Sequence, residues 1–196
     1  MILDCIRHGI TASNLAHRFN DCEDEPLLPE VRAALAGVSF PTEGYDLVHV
    51  SPLRRCVETA AALGMRSWIL DPRIGERRLG HFQGLTSVAC AALHGESFAA
   101  FSKLDADYVI PGGESRAEHL ARVLDWLEQT CRMTSGRTLA VTHGGVIDFL
   151  YRIGTGHSLH GGERIFASDN ASLSAFKVHW PSVEVLEFSK PLISRA

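Results

Sequence analysis

Two histidines, each followed directly by glycine, are the residues of this chain best suited to chemistry. His8 follows Arg7 and the apolar run Ile2–Ile6, and His143 follows the apolar run Leu139–Val141. Each pattern predicts a strand that ends at a histidine and turns into a helix. Because the carboxyl ends of strands in a parallel α/β sheet point into the binding crevice, we expect both histidines to face one small volume. With the guanidinium group of Arg7 beside them, that volume suits a phosphate group.

Two further segments supply an arginine and a carboxyl group. After Leu47–Val50, the stretch from Ser51 to Ala60 places Arg54 and Arg55 at the start of a predicted helix, where free N–H groups and the helix dipole attract anions. Adjacent helix positions cannot both face inward well, so one arginine is expected to bind phosphate and the other to lie on the surface. Downstream, Glu76 lies among basic residues and glycines, where a carboxyl group can act as a general acid.

Taken together, these pieces resemble the histidine phosphatase superfamily, which includes cofactor-dependent phosphoglycerate mutase and many small-molecule phosphatases. The resemblance runs from Arg7 to about Ser172 and rests on five motifs in the family's order. They are Arg7-His8-Gly9 with Thr11 and Asn14, Ser51-x-Leu53-x-Arg55 with Glu58-Thr59-Ala60, Glu76 with Gly80 and Gly84, Pro111-Gly112-Gly113-Glu114-Ser115, and Thr142-His143-Gly144-Gly145.

The resemblance implies a phosphomonoester hydrolase that acts through a phosphohistidine. His8 would take the phosphoryl group, and Glu76 would protonate the leaving oxygen and later activate water. Fixed cations stabilise the charge that spreads over the phosphoryl oxygens, so neither a metal nor another cofactor is expected. The implied catalytic residues are Arg7, His8, Arg55, Glu76 and His143. The implied phosphate-binding residues are Arg7, Thr11, Asn14, Arg55, His143 and Gly144.

Several residues keep a second interpretation. Glu114 rivals Glu76 as the acid, and Asn14 can be explained as a helix cap. The remaining histidines, His119 among them, are predicted to be surface or packing residues. Residues that either line the pocket or lie in solvent are Arg18, Arg77, Arg78 and His81. Ile10 stands where relatives often carry glutamate or glutamine, which bears on substrate preference more than on chemistry.

Two other activities stay open. Mutases of the family usually carry extra segments over the active site, and the length of this chain favours a phosphatase. A phosphoglycerate-type mutase and a non-catalytic binder of phosphate compounds remain alternatives. Cys131 and Arg137 also match the Cys-x5-Arg spacing of cysteine-dependent phosphatases. That chemistry needs a cysteine at a strand end. Here a helix precedes a strand, so Cys131 is interpreted as a core residue.

The order of the elements predicts one domain over residues 1–196, a three-layer α/β/α sandwich with a mostly parallel sheet. Residues 86–113 are expected to cover the substrate. The predicted strands are Ile2–Ile6, Leu47–Val50, Ser67–Leu70, Thr138–Val141, Leu173–Val178 and Val183–Phe188. The predicted helices are Leu53–Leu63, Thr86–Leu93, Ser97–Leu104, a helix that starts at a capping box of Ser115 and Glu118, and Gly144–Ile153.

Composition narrows the setting and the partners. A net charge of -4 argues against general nucleic-acid binding. The sequence has neither an apolar run of about 20 residues nor a signal-peptide pattern, so no membrane association is expected. Five scattered cysteines favour a reducing, cytoplasmic location. The expected partner is a small phosphate ester, and a homodimer is possible.

Overall fold

A six-stranded mixed sheet forms the centre of the part of the chain that the computed structural model describes, residues 1–20, 25–103, 105–159 and 167–193. Its strands are β1 (Ile2–Arg7), β2 (Leu47–Val50), β3 (Ile69–Leu70), β4 (Arg137–Thr142), β5 (Ser172–His179) and β6 (Ser182–Pro191). Their order is β3-β2-β4-β1-β5-β6. The first four run parallel, whereas β5 is antiparallel to β1 and β6 is antiparallel to β5. The predicted, mostly parallel sheet is confirmed.

Helices connect the strands and cover both faces of the sheet. They are α1 (Ala12–Leu15), α2 (Pro29–Ala36), α3 (Arg54–Ala62), α4 (Ser87–Leu93), α5 (Gly95–Ser102), α6 (Arg116–Met133) and α7 (Gly144–Thr155). Short 3-10 turns lie at Pro72–Ile74 and Gly80–Phe82.

Alternate side chains of the central strands enter two separate cores. Leu3 and Cys5 of β1 join the first core, which is built with α6 and α7, whereas Ile6 joins the second core, which is built with α2 and α3. The strand β4 alternates in the same way, since Ala140 packs in the first core and Val141 in the second. This period of two is what a sheet buried on both faces requires. The predicted α/β/α sandwich is therefore confirmed.

The helix with the clearest start signal begins where the sequence predicts. The Ser115 hydroxyl accepts from the backbone N–H of Glu118 at 3.0 Å, and the Glu118 carboxylate accepts from the backbone N–H of Ser115 at 2.8 Å. This capping box satisfies two N–H groups that the helix itself cannot pair. Cys131 lies near the end of α6 and packs partly buried against the first core, as its interpretation as a core residue required.

Three elements differ from the sequence prediction. The strand predicted at 67–70 is limited to Ile69–Leu70, both exposed at the sheet edge. The helix α2 was not predicted, although Pro29 at its first turn is a standard start signal. The helix predicted at Ser97–Leu104 begins earlier, at Gly95, and ends at Ser102, and Leu104 lies outside the described residues.

Candidate functional site

The two histidines lie side by side because their strands are neighbours. β1 and β4 pair in parallel with Arg7 opposite Thr142, so the residue after each strand occupies the same level of the sheet. The backbone N–H of His8 donates to the carbonyl of Thr142 at 3.0 Å. The imidazole rings lie 5.1 Å apart between centroids and are inclined by 58°. The two rings are thus adjacent, although only His8 lines the cleft described below.

His8 is held in one tautomer. Its Nδ1 lies 2.7 Å from the carbonyl oxygen of Gly9, which can only accept, so the ring proton sits on Nδ1. Nε2 therefore carries the lone pair. Burial, the guanidinium of Arg55 and that of Arg7 lower the pKa of His8 well below its usual value. A buried, neutral imidazole with a free Nε2 is a competent nucleophile.

His143 connects the arginine to a serine. The Arg55 Nη2 group, which can only donate, lies 3.3 Å from His143 Nδ1. Nε2 consequently carries the proton and donates to the hydroxyl of Ser51 at 2.8 Å. Burial lowers the pKa of His143 well below its usual value, and the charge of Arg55 adds to this effect.

The arginine pair at the start of α3 divides as expected. Arg55 is buried and its guanidinium also donates to the backbone carbonyl of Asn20 at 3.2 Å. Arg54 pairs with Glu58 at 2.8 Å and leaves 46% of its side chain exposed. Thr59, one turn later, accepts from the backbone N–H of Gly9 at 3.0 Å and donates to the Arg55 carbonyl at 2.6 Å. The end of β1 and the start of α3 are thereby fixed to each other.

Arg122 positions the loop that carries Glu76. Its guanidinium donates to the carbonyls of Arg73 at 2.6 Å, Gly75 at 2.9 Å and Glu76 at 2.8 Å. The glutamate carboxylate lies over Gly145, where a Cβ atom would be 2.5 Å from its Oε1. The glycine that follows Gly144 in the motif therefore makes room for Glu76.

Glu114, the rival acid, is already engaged. Its carboxylate accepts from Arg122 at 2.7 Å and from the backbone N–H of Arg78 at 3.0 Å, and it lies 3.4 Å from the Arg78 guanidinium. It does not line the cleft beside His8, whereas Glu76 does. Of the two glutamates, Glu76 is the one placed to meet a substrate.

A cleft of about 300 Å³ opens above these groups, which is within the range of small-molecule sites. Of the residues that the sequence motifs or their neighbours suggested for the site, those that line the cleft are Arg7, His8, Asn14, Arg18, Glu76, Arg77 and Gly145. Arg55 and His143 are buried beside His8 and do not line it. A larger cavity of about 640 Å³ lies at the amino ends of β2 and β3, beside Tyr45 and Trp68. We favour the smaller cleft because ligands of parallel sheets bind at the carboxyl ends of the strands.

Other residues singled out in the sequence lie outside this cleft. Thr11 is fully buried and its hydroxyl interacts with Asn14 in a capping box of α1. Gly144 is the buried first residue of α7. Ile10 packs against the second core, and His81 stacks on His94. The phosphate-binding roles of Thr11 and Gly144 stay predictions that no contact in the structure favours.

Sequence reasoning missed three residues of the site. Asn20 lines the cleft beside Arg55. Asn170 donates to the carbonyl of His8 at 3.1 Å and to Asn14 Oδ1 at 3.2 Å. His119, predicted to be a surface or packing residue, is buried and lines the cleft. No local pattern in the sequence marks any of them, because each is brought to the site by tertiary packing.

Cysteines take no part in the cleft lining among the described residues. Burial raises the pKa of the Cys56 thiol, which lies beside His143, to about 12. Cys131 lies in a different cavity from His8. Among described residues, no cluster of three or more histidine, cysteine and acidic side chains is arranged to hold a metal ion. Every described helix is too short or too polar to cross a bilayer.

The fold is an α/β sandwich in which the ends of β1 and β4 place His8 and His143 side by side, with Arg7 and His8 lining the cleft and Arg55 and His143 buried next to His8. A family model described as the histidine phosphatase superfamily (branch 1) matches residues 3–189, and the chain belongs to that family. A metal-independent phosphoserine phosphatase from Arabidopsis thaliana is 33% identical over 74% of this chain and 65% of its own length. This chain thus spans just under two thirds of that relative. A 2,3-bisphosphoglycerate-dependent phosphoglycerate mutase from Azorhizobium caulinodans is 29% identical over 78% of this chain and 80% of that protein.

Solved structures share the fold over nearly the full length. The alpha-ribazole phosphatase from Shigella flexneri superposes with a TM-score of 0.83 at 22% identity and covers 100% of both chains. The protein TTHB049 from Thermus thermophilus gives a TM-score of 0.72 at 27% identity, over 97% of this chain and 99% of that one.

Proposed function

We propose that this chain is a metal-independent phosphomonoester hydrolase that acts on a small phosphorylated metabolite through a phosphohistidine at His8. The observation that carries the proposal is the His8 ring, with Nδ1 bound to the Gly9 carbonyl, Nε2 free, and two arginines close enough to lower its pKa. Glu76 lines the same cleft. The relatives named as phosphatases support this reaction class.

The reaction has two displacements. His8 Nε2 attacks phosphorus while the bond to the leaving oxygen breaks, and protonated Glu76 gives its proton to that oxygen. Water then attacks the phosphohistidine, its proton passes to the Glu76 carboxylate, and neutral His8 and free phosphate result. Arg7 and Arg55 stabilise the phosphoryl oxygens.

Replacement of the nucleophile tests the proposal directly. We expect the wild-type chain to hydrolyse para-nitrophenyl phosphate in excess chelator and His8→Ala to lose at least about 10³-fold in kcat, because the covalent route is removed. Unchanged activity in His8→Ala would exclude His8 as the nucleophile. Loss of wild-type activity in chelator, restored by a divalent metal, would contradict metal independence.

Glu76 has a separate signature. Glu76→Gln is expected to lower kcat for alkyl phosphates by about 10²- to 10⁴-fold and for para-nitrophenyl phosphate far less, because a phenolate leaves without protonation. Glu128→Gln serves as the matched comparison and should leave both rates unchanged, since Glu128 pairs with the exposed Arg132 and does not line the cleft. Equal losses on both ester types in Glu76→Gln would remove Glu76 from the acid role.

A phosphoglycerate mutase is the second candidate, because mutases stand among the relatives at similar identity. It predicts phosphoryl transfer that exceeds hydrolysis and depends on a bisphosphate primer. Phosphate binding without turnover would instead favour a non-catalytic binder. The single domain, the covering role of residues 86–113, a cytoplasmic location and a homodimer stay predictions.

A further inference from the structure

One polar atom beside the cleft has no partner among the described residues. His119 is 1% exposed, lines the cleft, and its Nε2 atom makes no hydrogen bond. A buried polar atom without a partner is destabilising, so its presence in a cleft points to a ligand that satisfies it.

The ring of His119 lies beside the Glu76 side chain at the start of α7. A Cβ atom built on Gly145 would meet Glu76 Oε1 at 2.5 Å and His119 Cε1 at 2.9 Å, so both groups lie over the same glycine. The His119 ring and the Glu76 carboxylate are therefore neighbours in the cleft. No hydrogen bond joins the two side chains among the described contacts, so Nε2 stays available to a donor on the ligand.

The free nitrogen is an acceptor. The Gly75 backbone carbonyl interacts with the ring, and with Nε2 unpartnered this interaction falls to Nδ1–H. Burial, followed by the charges of Arg122, Arg77 and Arg116, lowers the pKa of His119 well below its usual value. The ring is therefore neutral, with its lone pair on Nε2.

The surroundings decide which donor fits. Arg77 and Arg116 line the cleft with His119, and the Arg116 guanidinium also pairs with Asp148 at 3.1 Å. Positive charge on this side disfavours a cationic ammonium donor, whereas a neutral hydroxyl meets no such electrostatic repulsion. Phe149 packs edge-on against the His119 ring, with centroids 5.0 Å apart, and restrains its orientation.

We infer that His119 determines substrate specificity by accepting a hydrogen bond from a hydroxyl group close to the scissile ester oxygen. The inference rests on the proposed function, since it assigns the substrate class of that same cleft: phosphate monoesters of hydroxylated alcohols. His119 contacts the organic part of the ester, while His8 and Glu76 perform the displacement.

A matched set of esters tests this with the wild-type chain alone. Ethyl phosphate, 2-hydroxyethyl phosphate and 2-aminoethyl phosphate differ only in the terminal group. We expect kcat/KM for the hydroxyl ester to exceed that for the ethyl ester by at least about tenfold, with the amino ester below the hydroxyl ester. A ratio under about threefold, or preference for the amino ester, would overturn the inference.

Variants then locate the effect. In His119→Leu, the ratio of kcat/KM for the hydroxyl ester to kcat/KM for the ethyl ester should fall to the small preference that comes from the more acidic leaving alcohol alone. His119→Gln keeps a hydrogen-bond acceptor and should retain most of the wild-type ratio. His49→Gln is the control, because His49 is also a buried histidine but packs on Trp126 outside the cleft. A wild-type ratio that persists in His119→Leu would overturn the inference. Hydrolysis of para-nitrophenyl phosphate by the wild-type chain separates these results from a failure of the proposed function, in which none of the esters is turned over.

Discussion

The two glutamates near the cleft differ in the groups that their carboxylates contact. Glu114 is buried against Arg122 and Arg78, so its charge serves to hold a loop. Glu76 accepts only a hydrogen bond from the adjacent backbone N–H of Arg77, at 3.0 Å, among the described contacts of its carboxylate, and it faces the cleft. A carboxyl group in the cleft that is free of ion pairs can contact a substrate, which Glu114 cannot do without losing its structural contacts.

Gly145 gives a test of how closely the position of Glu76 is set. In Gly145→Ala, the new methyl group would lie 2.5 Å from Glu76 Oε1, and the flexible carboxylate must move. We expect kcat for an alkyl phosphate to fall by about 10- to 100-fold, because a displacement near 1 Å in a catalytic group has that effect. Steady-state kinetics of the variant measure the loss.

Gly95→Ala is the matched control, since a Cβ atom at Gly95 meets nothing within 4 Å. It should leave kcat unchanged. If Gly145→Ala retains full activity on alkyl phosphates, the close approach of Glu76 to α7 has no catalytic importance.

Site residues that directly follow a strand could be predicted from the sequence. Site residues that tertiary packing brings to the cleft could not. His8 and His143 were predictable because each follows a strand of a parallel sheet, and the carboxyl ends of such strands lie at the binding crevice. His119 lies within α6, three residues before Arg122, and its surroundings depend on how that helix packs against the Gly75 loop. Thr11 shows the converse, since its motif position suggested phosphate binding while its side chain caps α1.

At the scale of elements, α6 fixes the loop that carries Glu76. Arg122 donates hydrogen bonds to three backbone carbonyls of residues 73–76 and to the Glu114 carboxylate. We expect Arg122→Met to lower the free energy of unfolding by about 3 kcal/mol, because it leaves a buried carboxylate poorly compensated. The looser loop should also lower kcat.

Arg132, on the same helix, supplies the control for this prediction. It pairs with Glu128 but leaves 74% of its side chain exposed, so Arg132→Met should change stability by less than about 0.5 kcal/mol. In the double variant Arg122→Met with Glu114→Gln, stability should partly return, while activity stays low. Urea denaturation of the variants checks the first result, and equal losses for both arginines would contradict it.

The ends of helices and strands were predicted correctly where local residues determine them and incorrectly where tertiary contacts do. Capping residues fixed the start of α6 correctly, since Ser115 and Glu118 act within one turn. The edge strand β3 is shorter than predicted because only His49 and Val50 of β2 pair with it. The helix α2 depends on Val31 and Leu35, which pack against the second core, and this contact is not visible in its short sequence.

At the scale of the whole molecule, the ends of β1 and β4 together with the helix α6 bring three buried histidines to one edge of the sheet. His8, His119 and His143 are all buried and all have pKa values well below the usual one, with burial as the largest cause. They are neutral in the folded chain at pH values where the unfolded chain binds protons on the same residues. Catalytic competence is therefore linked to a cost in stability at acidic pH.

The sign of this pH dependence follows from linkage. Because the unfolded state takes up more protons as the pH falls through about 6.5, the free energy of unfolding should decrease in that direction. If all three rings stay neutral in the folded chain, the loss between pH 7 and 5.5 is about 1 kcal/mol for each, or about 3–4 kcal/mol together. Asp71, whose pKa is lowered, stays charged over this window and contributes nothing to the change.

Urea denaturation at both pH values measures the loss of stability, and His8→Asn should reduce that loss by about a third. A free energy of unfolding that stays constant, or rises, toward pH 5.5 would show that these histidines are protonated in the folded chain.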